Sequence, residues 1–384
     1  MKNPASVKMT RRKWLLASAA ALTGCGGGGV NLGSALPGTG GTGIGVQGTI
    51  TGFGSVIVNG TKFDDQSAGI YLDGSLASSA DLRIGLVANI SGSLDAGAAN
   101  GTASRIDVWS VASGLLHVVD LTGTTFQLMG MQFVTDLSTV FEGIAGIASI
   151  ASDTTISVWA IQTSADAHQW LATRIKAHTT ATNQVVTTGL FNATASTFNG
   201  MLLGGIALTG FAEGELIRVA GTLDITTNTL SVIGFTAIGA DDLLPLTGKV
   251  ELEGVVTRVT DSNHFALGTV PIDATTADRG SDTQSISAGT FLEVTGAMQG
   301  GILVASKLEI QDSSSAMQVD ISGTVETFAS VSDFVVRGQR CDASNAGIQS
   351  GSLANLRVDA KVRVIGLTES DDVLRVLSLT IDVP

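Results

Sequence analysis

Histidine occurs four times, cysteine twice, tyrosine once and proline five times in 384 residues. Two cysteines in unlike surroundings, Cys25 and Cys341, exclude the disulfide framework that staples many small secreted domains. The histidines (His117, His168, His178 and His264) show neither HExxH nor paired-His spacing, so no metal site and no cofactor is expected. His168 and His178 flank the last strand of one repeat and read as separate surface residues. Gly-Ser pairs such as Gly54-Ser55 lack the setting of a nucleophile elbow and read as turns. The acidic pairs Asp64-Asp65, Asp241-Asp242 and Asp371-Asp372 lack the ligand spacing of a calcium loop and read as loop acids.

Basic charge is scarce beyond the N terminus. The first 24 residues hold five basic groups and no acid, whereas the rest carries 16 Lys and Arg against 34 Asp and Glu. Such a surface repels phosphate backbones, so nucleic acid is not expected as a partner. Aromatic residues make up only 5% of the chain, while Gly, Ser, Thr and Val abound. This is a β-rich, turn-rich composition.

What is present begins with an address. After the basic segment ending at Arg11-Arg12-Lys13 comes Trp14–Leu22, apolar and too short to span a bilayer as a helix. It runs into Leu22-Thr23-Gly24-Cys25, which resembles a bacterial lipobox. Residues 1–24 then read as a lipoprotein signal peptide and Cys25 as the lipidated mature N terminus, attached to the membrane by several acyl chains. The segment around Arg11 and Arg12 also resembles a twin-arginine export motif, and an ordinary secretory signal fits it equally. Gly26 stands where Asp would favour inner-membrane retention, so the expected location is the outer membrane, at its periplasmic face or the cell surface. Residues 25–45 form a Gly-rich tether expected to be flexible.

The remainder repeats itself five times. Gly85–Gly92, Asp153–Ala160, Gly214–Gly221, Gly289–Gly296 and Asp359–Gly366 align without gaps. One apolar column reads Ala88, Ile156, Ile217, Leu292, Val362, and another reads Ile90, Val158, Val219, Val294, Val364. A polar column between them reads Asn89, Ser157, Arg218, Glu293, Arg363. Alternation with period two predicts a strand with one face to a core and one to water. The bracketing small residues predict tight bends at the strand ends. Repeats are bounded at 46–110, 111–180, 181–246, 247–314 and 315–384. A spacing of about 65–75 residues suits a closed barrel of five or six short strands, like an oligonucleotide/oligosaccharide-binding (OB-like) barrel. The expected fold is all-β, five tandem OB-like barrels behind a signal peptide and tether. Each barrel is small enough that packing between neighbours is expected to contribute.

The recurring Gly-x-aliphatic opening, the Phe-x-aliphatic-x-Gly hairpin and the closing Ala-x-Arg/Lys-aliphatic strand carry a resemblance. They are seen in Phe265–Gly268, in Gly289–Gly296 and in Ala305-Ser-Lys307-Leu308. Together they resemble the tandem repeats of domain of unknown function 5666, found in exported bacterial proteins that are often lipoproteins. The resemblance implies fold and address but no chemistry. The expected function is non-enzymatic: β modules for binding or scaffolding at the membrane surface, with an envelope glycan or another envelope protein as partner. The alternative is a glycan-acting or metal-assisted hydrolase of the envelope. Trp109, Trp159 and Trp170 cluster around repeat two. Trp159 and Trp170 are the candidate ligand-binding residues, and filling the junction between repeats one and two is the competing use of these rings.

Overall fold

A computed structural model describes residues 43–95, 100–116, 124–151, 154–180, 182–239, 248–280, 284–311, 316–369 and 372–382. The expected signal residues Arg11, Arg12, Leu22, Thr23 and Gly24, the expected lipidation site Cys25 and the expected tether up to residue 42 lie outside them. So do His117, Asp153, Asp241, Asp242 and Asp371.

The fold is all-β, as the alternation implied. Repeat one contributes five barrel strands: Gly43–Phe53, Val56–Val58, Thr61–Asp64, Val87–Leu94 and Asn100–Val108. The first pairs with the second, the second with the third, and the third runs parallel to the fifth. The fifth pairs with the fourth, and the fourth returns to the first. The ring is closed, with the strand order of an OB barrel. Closure leaves no long unpaired edge to template aggregation. The first strand opens at Gly43, inside the stretch read as tether, because Ile44 is buried and pairs with Gly92.

Repeat four closes the same circuit with Lys249–Val259, His264–Leu267, Val270–Asp273, Phe291–Gln299 and Ile302–Ile310. Repeat five does so with Gln318–Ser330, Asp333–Val336, Gln339–Asp342, Lys361–Thr368 and Val373–Ile381. Repeats two and three keep every ladder of the ring but one. Between their first and second strands no ladder is formed among the described residues. In repeat three a side chain spans that seam: Asn199 Nδ2 donates to Thr187 Oγ1 (2.7 Å) and to the Thr188 carbonyl (2.8 Å).

Three local devices recur. The residue opening the repeated stretch is left-handed at Gly85, Gly214, Gly289 and Asp359, which explains the Gly preference there. Its amide donates to a carbonyl on, or in repeat three just after, the first strand of its own barrel, at Ile50, Phe191, Val256 and Val325 respectively. That same residue donates back to the next carbonyl along. The second-to-third strand connection is a two-residue hairpin in every repeat. Asn59-Gly60, Met129-Gly130, Asn199-Gly200 and Arg337-Gly338 have positive φ at both positions, the type I′ pattern. In repeat four the loop is Gly268-Thr269, with positive φ at Gly268 alone, the pattern of a II′ turn. The third strand therefore starts one residue later relative to its Gly than in the other repeats. Ile272 still pairs with Phe265 as Cys341 pairs with Phe334, so no bulge shifts this register.

The third device corrects the sequence reading of the closing glycine. Gly92, Gly221, Gly296 and Gly366 do not end the strand. Each lies at a β-bulge where the fifth strand carries one extra residue, and repeat two has Ala160 there. A Cβ on any of these glycines would press into a carbonyl oxygen of the fifth strand. Close backbone approach, not a bend, selects Gly.

The barrels join through their first strands. Gly43–Phe53 lies parallel to Lys249–Val259 over Ile44–Gln47 and parallel to Gln318–Ser330 at Gly52-Phe53. Ser113 of repeat two pairs antiparallel with Val186 of repeat three. Repeat one thus contacts repeats four and five, far away in sequence, and its core is continuous with that of repeat five. Both apolar columns of the repeated stretch are buried in all five copies. The polar column, expected to face water, is also buried in three: Asn89, Ser157 and Arg218. Neighbouring barrels cover that face.

Candidate functional site: the junction cavity

A cavity of about 90 Å³ opens where repeats one to four meet. Repeat one supplies Gln47 and Asn89, and the linker after it supplies Trp109. Repeat two adds Gln162 and Trp170, and repeat four adds Glu253. Apolar residues including Leu216, Ile238, Leu252 and Leu267 complete the wall. Each polar member is placed by a ladder. Gln47 and Asn89 are directly paired on the first and fourth strands of repeat one, and Gln162 is paired with Trp170 in repeat two.

The amides are partly used. Gln47 Nε2 donates to Asn89 Oδ1 (2.8 Å), and Gln162 Nε2 donates to the Ser164 carbonyl (2.7 Å). The Oε1 atoms of both glutamines remain as acceptors. Trp170 Nε1 donates to the Ala167 carbonyl (2.8 Å), whereas Trp109 Nε1 is buried without a hydrogen-bond partner among the described residues. Arg218 stands 5.3 Å from the Trp109 ring and is paired with Asp73 at 2.9 Å.

Glu253 accepts from the Thr49 amide (3.0 Å) and the Thr49 hydroxyl (3.1 Å), across the seam between repeats one and four. It makes no salt bridge among the described residues. Burial pushes its carboxyl upward, and the Thr49 hydrogen bonds oppose this. Glu253 stands directly opposite Glu293, which stands directly opposite Glu309. Like charges in such register repel. Burial pushes Glu293 up to about 7, helped by Glu251, Glu309 and Glu253 and opposed by Lys307. This row was invisible as a site in the sequence, because the three residues sit on three strands.

The sequence candidates separate. Trp170 lines the cavity, whereas Trp159, 8% exposed, belongs to the apolar cluster of repeats one and five. His178 is not a free surface residue. Its Nε2 meets Ser157 Oγ at 2.8 Å, and Ser157 Oγ meets Ser113 Oγ at 2.9 Å. Burial, aided by Lys176, lowers the His178 pKa, with Glu142 opposing, so the ring is neutral at pH 7. A Ser–His contact is the first element of a nucleophile. Here, however, Ser157 is buried in the middle of the fourth strand of repeat two, opposite Ser113, which in turn pairs with Val186 of repeat three. His168 lies apart, in the turn before the fifth strand of repeat two. Among the described residues no cluster of three or more His, Cys, Asp or Glu could hold a metal ion.

No curated protein matches the chain. Two segments, residues 117–176 and 253–309, match the model of a domain of unknown function, DUF5666. They fall in repeats two and four, and the second runs from the first strand to the fifth of one closed barrel, consistent with repeated copies of this domain.

Proposed function

We propose that the chain is a non-enzymatic, lipid-anchored protein of the bacterial cell envelope that presents its five barrels as one fixed binding scaffold. The observation that carries this reading is the joining of first strands between repeats one, four and five. Barrels tied by backbone ladders keep a fixed relative geometry, which suits presentation of a composite site and not the independent reach of beads on a linker. The junction cavity is a product of that geometry, and an envelope component is its expected class of partner. The anchor is Cys25, behind the basic and apolar signal, and the outer membrane is the expected location.

The test expresses wild type and Cys25→Ser in a Gram-negative host and fractionates the membranes. The expected outcome is acyl labelling and membrane pelleting of wild type and release of the variant to the soluble periplasm. A variant that pellets as wild type does would refute the anchor. The hydrolase alternative rests on Ser157 and His178 alone. Covalent labelling of Ser157 by a fluorophosphonate would favour it.

A further inference from the structure

We propose that the junction cavity is a binding site for a small organic ammonium ion. The inference rests on the reading of the barrels as a binding scaffold and names the ligand class. Three observations converge on a cation. The Oε1 atoms of Gln47 and Gln162 in the wall are unused acceptors, beside Asn89, whose Nδ2 is an unused donor. The one carboxyl in the wall, Glu253, is held by Thr49 and has no cationic partner among the described residues. Two tryptophans border the same space, Trp170 with its N–H bonded to the Ala167 carbonyl and Trp109 with its N–H buried and without a hydrogen-bond partner among the described residues.

Aromatic rings and an unpaired carboxyl favour a desolvated ammonium over a neutral solute of equal size. The nearest fixed cation known to touch the wall, Arg218, is already neutralised by Asp73. Behind Glu253 stand Glu293 and Glu309 in register, with Glu251 on the same strand. Lys249 is paired with Glu251 at 2.6 Å, and Lys307 is paired with Glu309. Among the described residues Glu253 and Glu293 are therefore the members of the row without a cationic partner, and burial disfavours their charge until a cation arrives. A volume of about 90 Å³ matches a methylated ammonium of a few heavy atoms or about three waters.

Tetramethylammonium and methylammonium serve as probes, with tert-butanol as the neutral counterpart, titrated calorimetrically and by tryptophan fluorescence. Saturable binding of an ammonium at least ~10-fold tighter than of tert-butanol is expected, a difference of about 1.4 kcal/mol. Glu253→Gln should weaken it by a similar factor while leaving the melting temperature equal or higher. Equal affinity for tert-butanol, undiminished binding to a folded Glu253→Gln, or no saturation by about 100 mM would overturn the proposal. The comparison of probes on the unmodified chain needs no variant, so it stands even if Glu253→Gln misfolds. Loss of cation binding with intact Cys25 anchoring would leave the scaffold reading in place.

Discussion

The guanidinium of Arg174 lies 3.1 Å from the carboxylate of Asp372, 198 residues further along the chain. Arg174 belongs to repeat two, is 1% exposed, and also donates to Glu142 (2.6 Å) and to the Ile84 carbonyl of repeat one (2.8 Å). One side chain thus ties repeats one, two and five. Burial raises the Asp372 carboxyl pKa against the pull of Arg174, whereas in Glu142 Arg174 and Lys176 outweigh burial.

Removing Arg174 leaves two acids in a covered site without their cation. Arg174→Met should destabilise the folded chain by about 3–5 kcal/mol, the range for breaking a buried pair from one side. Adding Glu142→Gln and Asp372→Asn to that variant should recover part of the loss. Urea unfolding of the single and triple variants reads both values. A single-variant loss under about 1 kcal/mol would place this interaction with ordinary surface pairs.

The bulge glycines make a second prediction. Gly296→Ala and Gly366→Ala force a methyl against the Val304 and Arg375 carbonyls, so something in the ladder must move. Each should lower stability by about 1–3 kcal/mol, the usual scale of core overpacking. Ala160→Gly in repeat two adds chain entropy to the unfolded state and removes one buried methyl, and should cost about 1–2 kcal/mol. The ordering is what thermal melts must show. A larger loss at Ala160 than at Gly296 would contradict the close-approach explanation.

Glu293 sets the pH response of repeat four. The unfolded chain releases this proton near 4.5 and the folded chain near 7. Between those values the folded state binds more protons, so stability falls as pH rises and then levels off. A shift of that size corresponds to about 3 kcal/mol in full. A side chain in partial contact with water realises less, about 1–2 kcal/mol. Glu293→Gln should stabilise the chain by that amount at pH 8, have little effect at pH 4.5, and flatten the intervening slope. Denaturant melts at the two pH values check this, and an unchanged slope would remove Glu293 as its source.

Much of this architecture was legible because a strand writes its faces in alternate residues. The apolar columns from Ala88 to Val362 and from Ile90 to Val364 are core in every copy. The polar column misled because local alternation reports which side faces the barrel interior, not what covers the other side. Asn89 and Arg218 are buried where repeats distant in sequence meet, and Ser157 is buried behind Ser113 beside the next repeat. Arg174 shows the same limit. Its column also holds Arg105 and Lys307, which stay partly exposed and pair with Asp107 and Glu309 two residues on in their own strands. Only the tertiary neighbours Ile84 and Asp372 make Arg174 different. The junction cavity was half legible. Trp170 stood out as an aromatic in a chain poor in them, but Gln47, Asn89 and Glu253 are ordinary strand residues until four barrels meet.

Cys341 offers the last prediction. It takes the third-strand position held by Phe63 and Phe133 in repeats one and two, paired with Phe334 and flanked in parallel by Leu374. It is 1% exposed, and burial, assisted by the nearby charge of Asp372, pushes the thiol up to about 12. Little thiolate exists at neutral pH, and thiolate is the reactive form. Labelling of Cys341 in the chain carrying Cys25→Ser with a charged thiol reagent at pH 7.5 should therefore be slow and become fast in denaturant. The rate without denaturant should track global stability, so Arg174→Met should accelerate it through Asp372 and the shared core of repeats one and five. Rapid labelling of the native chain would place Cys341 within reach of solvent and make it a candidate nucleophile.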